Sequence, residues 1–118
     1  MMNDETIVLI VEDMPQVRAT AVSILERVGC VVFDAYNGDD AVRLLMAHPE
    51  IEVLFTDVRM PGMGGLELAE LAQQLRPDLK VVLTSGYLSK EELPGELPFV
   101  PKPWRAEDVA IAVARHHG

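Results

Sequence analysis

Five chemically capable side chains stand where short apolar runs of this sequence end. Glu12 and Asp13 follow the run at 6–11, Asp57 follows 51–56, and Thr84 closes the run that starts at Lys80. Lys102 comes just after Phe99-Val100. Three of the five are carboxylates, and gathering them costs free energy through like-charge repulsion, which raises at least one pKa. A divalent cation relieves that repulsion, and hard oxygen donors select Mg²⁺ or Mn²⁺. Mg²⁺ keeps several waters and so leaves positions for phosphate oxygens. The Lys102 ammonium can hold one such oxygen as a compact charge, and the Thr84 hydroxyl can donate to another. Together these groups describe a site where a phosphoryl group meets a carboxylate, with catalysis by positioning and charge neutralisation.

The elements that must bring them together can be read from periodicity. The run at 6–11 is nearly all apolar, as expected of a strand covered on both faces. Met14, Val17, Ala21, Ile24 and Val28 then recur at helical spacing, and Gly29 stops that helix. Further strands are expected at 31–35, 51–56, 80–84 and 99–100. Asn37 is placed to cap a second helix that ends near His48-Pro49. Leu68, Leu71, Ala72 and Leu75 form the stripe of a third, closed by Arg76-Pro77. Ala106, Val109, Ala110 and Val113 mark a last one. Met60-Pro-Gly-Met-Gly-Gly65 is a loop. Strand–helix alternation on this scale implies a parallel sheet with helices on both faces and ligands at the carboxyl ends of the strands. The stretch 85–98 carries Pro94, Gly95 and Pro98 and has room for little more than a turn of helix.

Composition narrows the function. The chain has 118 residues, 49% of them hydrophobic, which suits one domain with one core. Ten basic residues against nineteen acidic ones give a formal charge of −9. Without a cluster of Lys and Arg there is nothing to replace counterions on nucleic acid, and an anionic membrane would repel the chain. Cys30 alone excludes an internal disulfide and a multi-cysteine metal site. The N-terminus is acidic where a signal peptide would be basic, and no apolar run near it could span a bilayer. The expectation is a cytoplasmic single-domain protein, residues 1–118, without an output domain.

Ile10-Val-Glu-Asp13, Thr56-Asp57-Val-Arg-Met-Pro-Gly62, Leu83-Thr84-Ser85 and Pro101-Lys102-Pro103 occur at four strand ends in this order. With them the chain resembles, along its whole length, the CheY-like receiver domain of two-component response regulators. The resemblance implies an α/β, flavodoxin-like, doubly wound sheet of five parallel strands in the order 2-1-3-4-5. It makes Asp57 the phosphoacceptor and Asp13 a direct Mg²⁺ (or Mn²⁺) ligand. Glu12 acts largely through metal-bound water, and the Arg59 backbone carbonyl completes the protein's ligands. Thr84 and Lys102 bind the phosphoryl oxygens, Thr84 and Phe99 form the switch, and the Lys102-Pro103 bond is cis. The phosphoryl donor is a histidine kinase or histidine phosphotransfer protein, the output is contact with a downstream protein, and the chain is a monomer or weak dimer. Thr84 and Lys102 stand 18 positions apart, fewer than in common receivers, and Gly64 replaces a frequent Asp. The shortfall resembles the sub-group with a short or absent fourth helix, some of which partner kinases of the HWE type.

Simpler readings stand beside these. Asp13 could cap the first helix ahead of Pro15, Asp57 could enter a loop, and Lys102 could be a solvated loop lysine. Phe99 reads as core, Cys30 as a small core residue, and Trp104 as packing beneath the start of the last helix. Rival functions are a Mg-dependent phosphatase-like enzyme and an unphosphorylated interaction module. Haloacid-dehalogenase-type phosphatases and toprim-type enzymes need a second Asp two residues after the first, where Arg59 stands. A flavodoxin-like cofactor binder would want a phosphate loop where Glu12 and Asp13 would repel one.

Overall fold

A computed structural model describes residues 5–86, 92–93 and 97–114. Five strands, β1 (Ile7–Val11), β2 (Val31–Ala35), β3 (Val53–Asp57), β4 (Lys80–Ser85) and β5 (Phe99–Pro101), alternate with helices. The described helices are α1 (Pro15–Arg27), α2 (Gly38–Ala47), α3 (Gly65–Leu75) and α4 (Ala106–Val113). Every strand pair is parallel and the order is β2-β1-β3-β4-β5, as expected from the sequence.

Alternating strand side chains divide the core between the two faces of the sheet. Leu9, Val11, Leu54 and Leu83 meet Ala41, Leu45, Leu68 and Ala72 of α2 and α3. Val8, Ile10, Phe55 and Val82 meet Ile24 and Leu25 of α1 and Val109 and Val113 of α4. Because both faces are covered, the central strands can be apolar at every position, which explains the unbroken runs.

Helix ends follow local chemistry. The Asn37 side chain accepts from the Asp40 backbone N–H at 2.7 Å and starts α2. Gly29 follows α1 at φ +96°, a conformation that costs other residues a steric penalty. The residue before α1 is Met14, which makes no side-chain cap, with Pro15 next, so Asp13 is not spent on capping. Met14 also leaves the expected apolar stripe and is mostly exposed.

Several strand boundaries differ from the sequence reading, and those at the carboxyl ends concern the site. β3 starts at Val53 because the Ile51 N–H is drawn back to the His48 carbonyl in the turn after α2. At the other end the ladders run on. Val58 N–H donates to the Thr84 carbonyl at 2.9 Å and Lys102 N–H to the Ser85 carbonyl at 3.0 Å. Asp57 and Ser85 are therefore strand residues, held by sheet hydrogen bonds. Among the described residues between β4 and β5 there is no α-helix. Much of the irregular connector expected there (87–91 and 94–96) lies outside the described residues, as do His116 and His117.

Directly behind Asp57 the chain leaves no room for a side chain at Gly65. A Cβ there would lie 2.0 Å from the Asp57 carbonyl oxygen, while Gly65 N–H donates to the Val58 carbonyl at 2.9 Å. Gly65→Ala must push the start of α3 away from the end of β3. Overpacking against backbone costs about 1–3 kcal/mol, and a lower urea midpoint is the expected result. An unchanged midpoint would show that the α3 start can yield freely.

Candidate functional site

The carboxyl ends of β1, β3, β4 and β5 form one rim. Glu12, 1% exposed, follows β1, and Asp57, 6% exposed, ends β3. The Lys102 ammonium lies between them, donating to Glu12 Oε1 at 2.7 Å and to Asp57 Oδ2 at 3.0 Å. Glu12 Oε2 accepts from Met14 N–H at 3.1 Å, and the Arg18 guanidinium donates to the Glu12 carbonyl at 2.9 Å. The same guanidinium pairs with Asp34 at 3.2 Å, so α1 is tied to the ends of both β1 and β2. Asp13 sits at the mouth. Glu12, Asp13 and Asp57 each present an oxygen within 4.8 Å of the others.

Electrostatics follow from this crowding. Loss of hydration raises the Asp13 pKa above the ordinary carboxylate value, and its hydrogen bond with Glu12 raises it further; Lys102 and a backbone hydrogen bond oppose. At Lys102 burial works against the ammonium, but hydrogen bonds and charge from Glu12 and Asp57 outweigh it, so its pKa is raised. The lysine is firmly charged because two carboxylates share it. Those three oxygen donors suit a hard divalent cation.

Thr84 is fully buried. Its hydroxyl donates to the Val100 carbonyl at 2.6 Å and accepts from the Trp104 indole N–H at 2.8 Å. Phe99 pairs with Leu83 across the β4–β5 ladder and packs, partly buried, on the α2/α3 face of the core. The Lys102-Pro103 peptide is cis, as expected. A cleft of about 790 Å³ opens over the rim, lined by Asp13, Met14, Asp57, Arg59, Lys102 and Trp104 among others.

The structure thus brings Glu12, Asp13, Asp57 and Lys102 together and leaves Arg59 at the edge of the cleft. Phe99 stands apart, on a neighbouring stretch of β5. Two participants escaped the sequence reading. Trp104, placed only beneath the last helix, turns its N–H onto Thr84 and its ring toward Lys102, 5.5 Å from the ammonium. The available signal was an aromatic with a polar handle two residues after the key lysine. Arg18 stands four residues after Met14, one helical turn, a spacing that returns it to the strand ends.

Comparison with known proteins identifies the family and the fold. Residues 8–114 match the family described as "Response regulator receiver domain". The chain is 32% identical over 113 residues to the response regulator receiver protein CpdR of Brucella abortus, covering 92% of this chain and 93% of that one. It is also 32% identical to a segment of sensor kinase CckA of the same organism, spanning 90% of this chain and 12% of the kinase. The crystal structure of a response regulator receiver domain protein from Clostridium thermocellum superposes with a TM-score of 0.84 at 22% identity, covering 92% and 90% of the two chains.

The shared ammonium makes a direct test. Lys102→Met leaves Glu12 and Asp57 facing each other without compensation, and breaking a buried ion pair from one side costs about 3 kcal/mol. Thermal melts should show that loss, and Mg²⁺ should restore part of it and also raise the wild-type melting temperature. Asp13→Ala should abolish the Mg²⁺ effect. Melting temperatures indifferent to Mg²⁺ in wild type and Lys102→Met would contradict a cation site at these carboxylates.

Proposed function

This chain belongs to the response regulator receiver family, and from that premise we propose that it is the phosphoacceptor of a two-component phosphorelay. A histidine kinase or histidine phosphotransfer protein delivers a phosphoryl group to Asp57, which switches a protein-binding surface. The observation that carries the reading is the Lys102 ammonium bridging Glu12 and Asp57, with Asp13 beside them and an open cleft in front.

In the transfer an Asp57 carboxylate oxygen forms a bond to phosphorus while the phosphorus–nitrogen bond of the donor's phosphohistidine breaks, and the bonding pair leaves with the imidazole. Lys102 is placed to follow charge from the carboxylate onto a phosphoryl oxygen. The sheet hydrogen bonds behind Asp57 hold the nucleophile in place. Asp13, Asp57 and the Arg59 carbonyl are the groups that would hold Mg²⁺ or Mn²⁺, with Glu12 behind them. Such an ion neutralises phosphoryl charge and shields the attacking carboxylate from repulsion. With acetyl phosphate as donor the same residues would carry out self-phosphorylation, followed by slow self-dephosphorylation.

The sensor-kinase relative supports a kinase partner, and the short span between Thr84 and Lys102 resembles that of receivers some of which partner HWE-type kinases. A charge of −9 favours output by protein contact over DNA binding. Among the described residues no helix is long and apolar enough to cross a membrane, and we place the protein in the cytoplasm.

Incubation with acetyl phosphate and Mg²⁺ should add one phosphoryl group by intact mass, mapping to Asp57, and Asp57→Asn should abolish the gain while the protein stays folded. An unchanged yield in that variant would refute the assignment. Thr84→Ala should reduce phosphorylation-induced NMR shifts around Phe99 more than it reduces phosphorylation. Equal shifts in variant and wild type would remove Thr84 from the switch.

A further inference from the structure

We infer that Trp104 is a positioning residue: its indole N–H latches the Thr84 hydroxyl in the orientation of the unphosphorylated state. The inference rests on Asp57 as phosphoacceptor and adds a participant to that site.

Thr84 has one hydroxyl proton, and at 2.6 Å the Val100 carbonyl holds it. A lone pair of the same oxygen takes the Trp104 N–H at 2.8 Å. For Thr84 to donate to a phosphoryl oxygen on Asp57, the proton must leave Val100 and the hydroxyl must turn. That turn breaks both bonds and strips a half-buried indole N–H of its partner, which carries a penalty of its own.

The indole is well placed to hold that orientation. Its ring meets Phe55 edge-on, with centroids 6.0 Å apart and planes at 69°. Its other neighbour is Lys102, with the ammonium 5.5 Å from the ring. Thr84 and Lys102 are the two groups that must reorganise around a phosphoryl group, and one side chain touches both. α4 begins two residues later, at Ala106, so displacement of the indole is passed to the start of that helix. The latch therefore biases the Thr84 equilibrium and links it to α4, a route separate from Phe99.

The test is a double-mutant cycle read by binding of beryllofluoride, a phosphoryl mimic, in the presence of Mg²⁺. Trp104→Phe keeps an aromatic ring against Phe55 and removes the N–H. It should tighten beryllofluoride binding about five-fold, the ratio expected from the net worth of one neutral hydrogen bond. In a Thr84→Val background the same substitution should change nothing, because no hydroxyl remains to be held. Trp104 is the only tryptophan, so beryllofluoride should also change the intrinsic fluorescence of the wild type. In the free protein, Thr84→Val should move the indole N–H resonance in NMR spectra. An unmoved resonance overturns the latch whatever the ligand does, as does an equal Trp104→Phe effect in both backgrounds. Failure of every variant, wild type included, to bind beryllofluoride or take up phosphoryl overturns the phosphoacceptor reading, and the latch falls with it.

Discussion

The rim of this sheet depends on one ammonium shared by two buried carboxylates. Glu12 and Asp57 are almost fully withdrawn from water, and each would be costly as an isolated charge. Lys102 answers both from the far side of β4, because the strand order puts β4 between β3 and β5. That reach is possible because Lys102 N–H is anchored on the Ser85 carbonyl and Gly86 lies beside the lysine stem. The arrangement is compact but not saturated. Asp13 at the mouth adds a third carboxylate, whose pKa is raised first by loss of hydration, then by its hydrogen bond with Glu12 and, to a smaller extent, by the Glu12 charge. A site with this excess of negative charge has a reason to take up a cation, and then a phosphoryl group alongside it.

Much of this was legible in the sequence because strand ends carry information twice. An apolar run that stops abruptly at Glu12-Asp13, at Asp57 and at Thr84 marks both the end of an element and the place where polar groups gather. Asn37 and Gly29 were legible for a related reason: caps act locally, and their chemistry does not depend on distant parts of the chain. What depended on partners far along the chain was harder to see. The beginning of β3 was misplaced by two residues because the His48 carbonyl competes for the Ile51 N–H. Periodicity cannot report that competition.

Trp104 was hidden for the same reason on a larger scale. Its bond to Thr84 spans 20 positions and exists only because the β4–β5 register sets Thr84 opposite Val100, so that the chain leaving β5 returns over the hydroxyl. Reading Trp104 as helix packing was reasonable from an aromatic just ahead of α4. Register converted it into a polar neighbour of the site. Arg18 shows the opposite case, a residue whose helical spacing from the strand end was visible but whose charge gave no direction until Glu12 and Asp34 had been placed.

Magnitudes explain why a single indole matters here. In the observed state Thr84 makes two neutral hydrogen bonds, to Val100 and from Trp104, together worth about 2 kcal/mol net. Turned toward a phosphoryl oxygen, it would make one charge-assisted bond, worth about 1.5–3 kcal/mol. The two sides nearly cancel, so neither orientation is heavily favoured by Thr84 alone. A near-balanced element responds to small differential contacts, whereas one biased by about 5 kcal/mol would demand a very large preference from any ligand. Lys102 is different, since it is charged and paired with two carboxylates already, and a phosphoryl oxygen would only redistribute its bonds. If Thr84 is the proposed switch, its free-energy balance lies in the neutral contacts around the hydroxyl, of which the Trp104 N–H supplies one of the two hydrogen bonds.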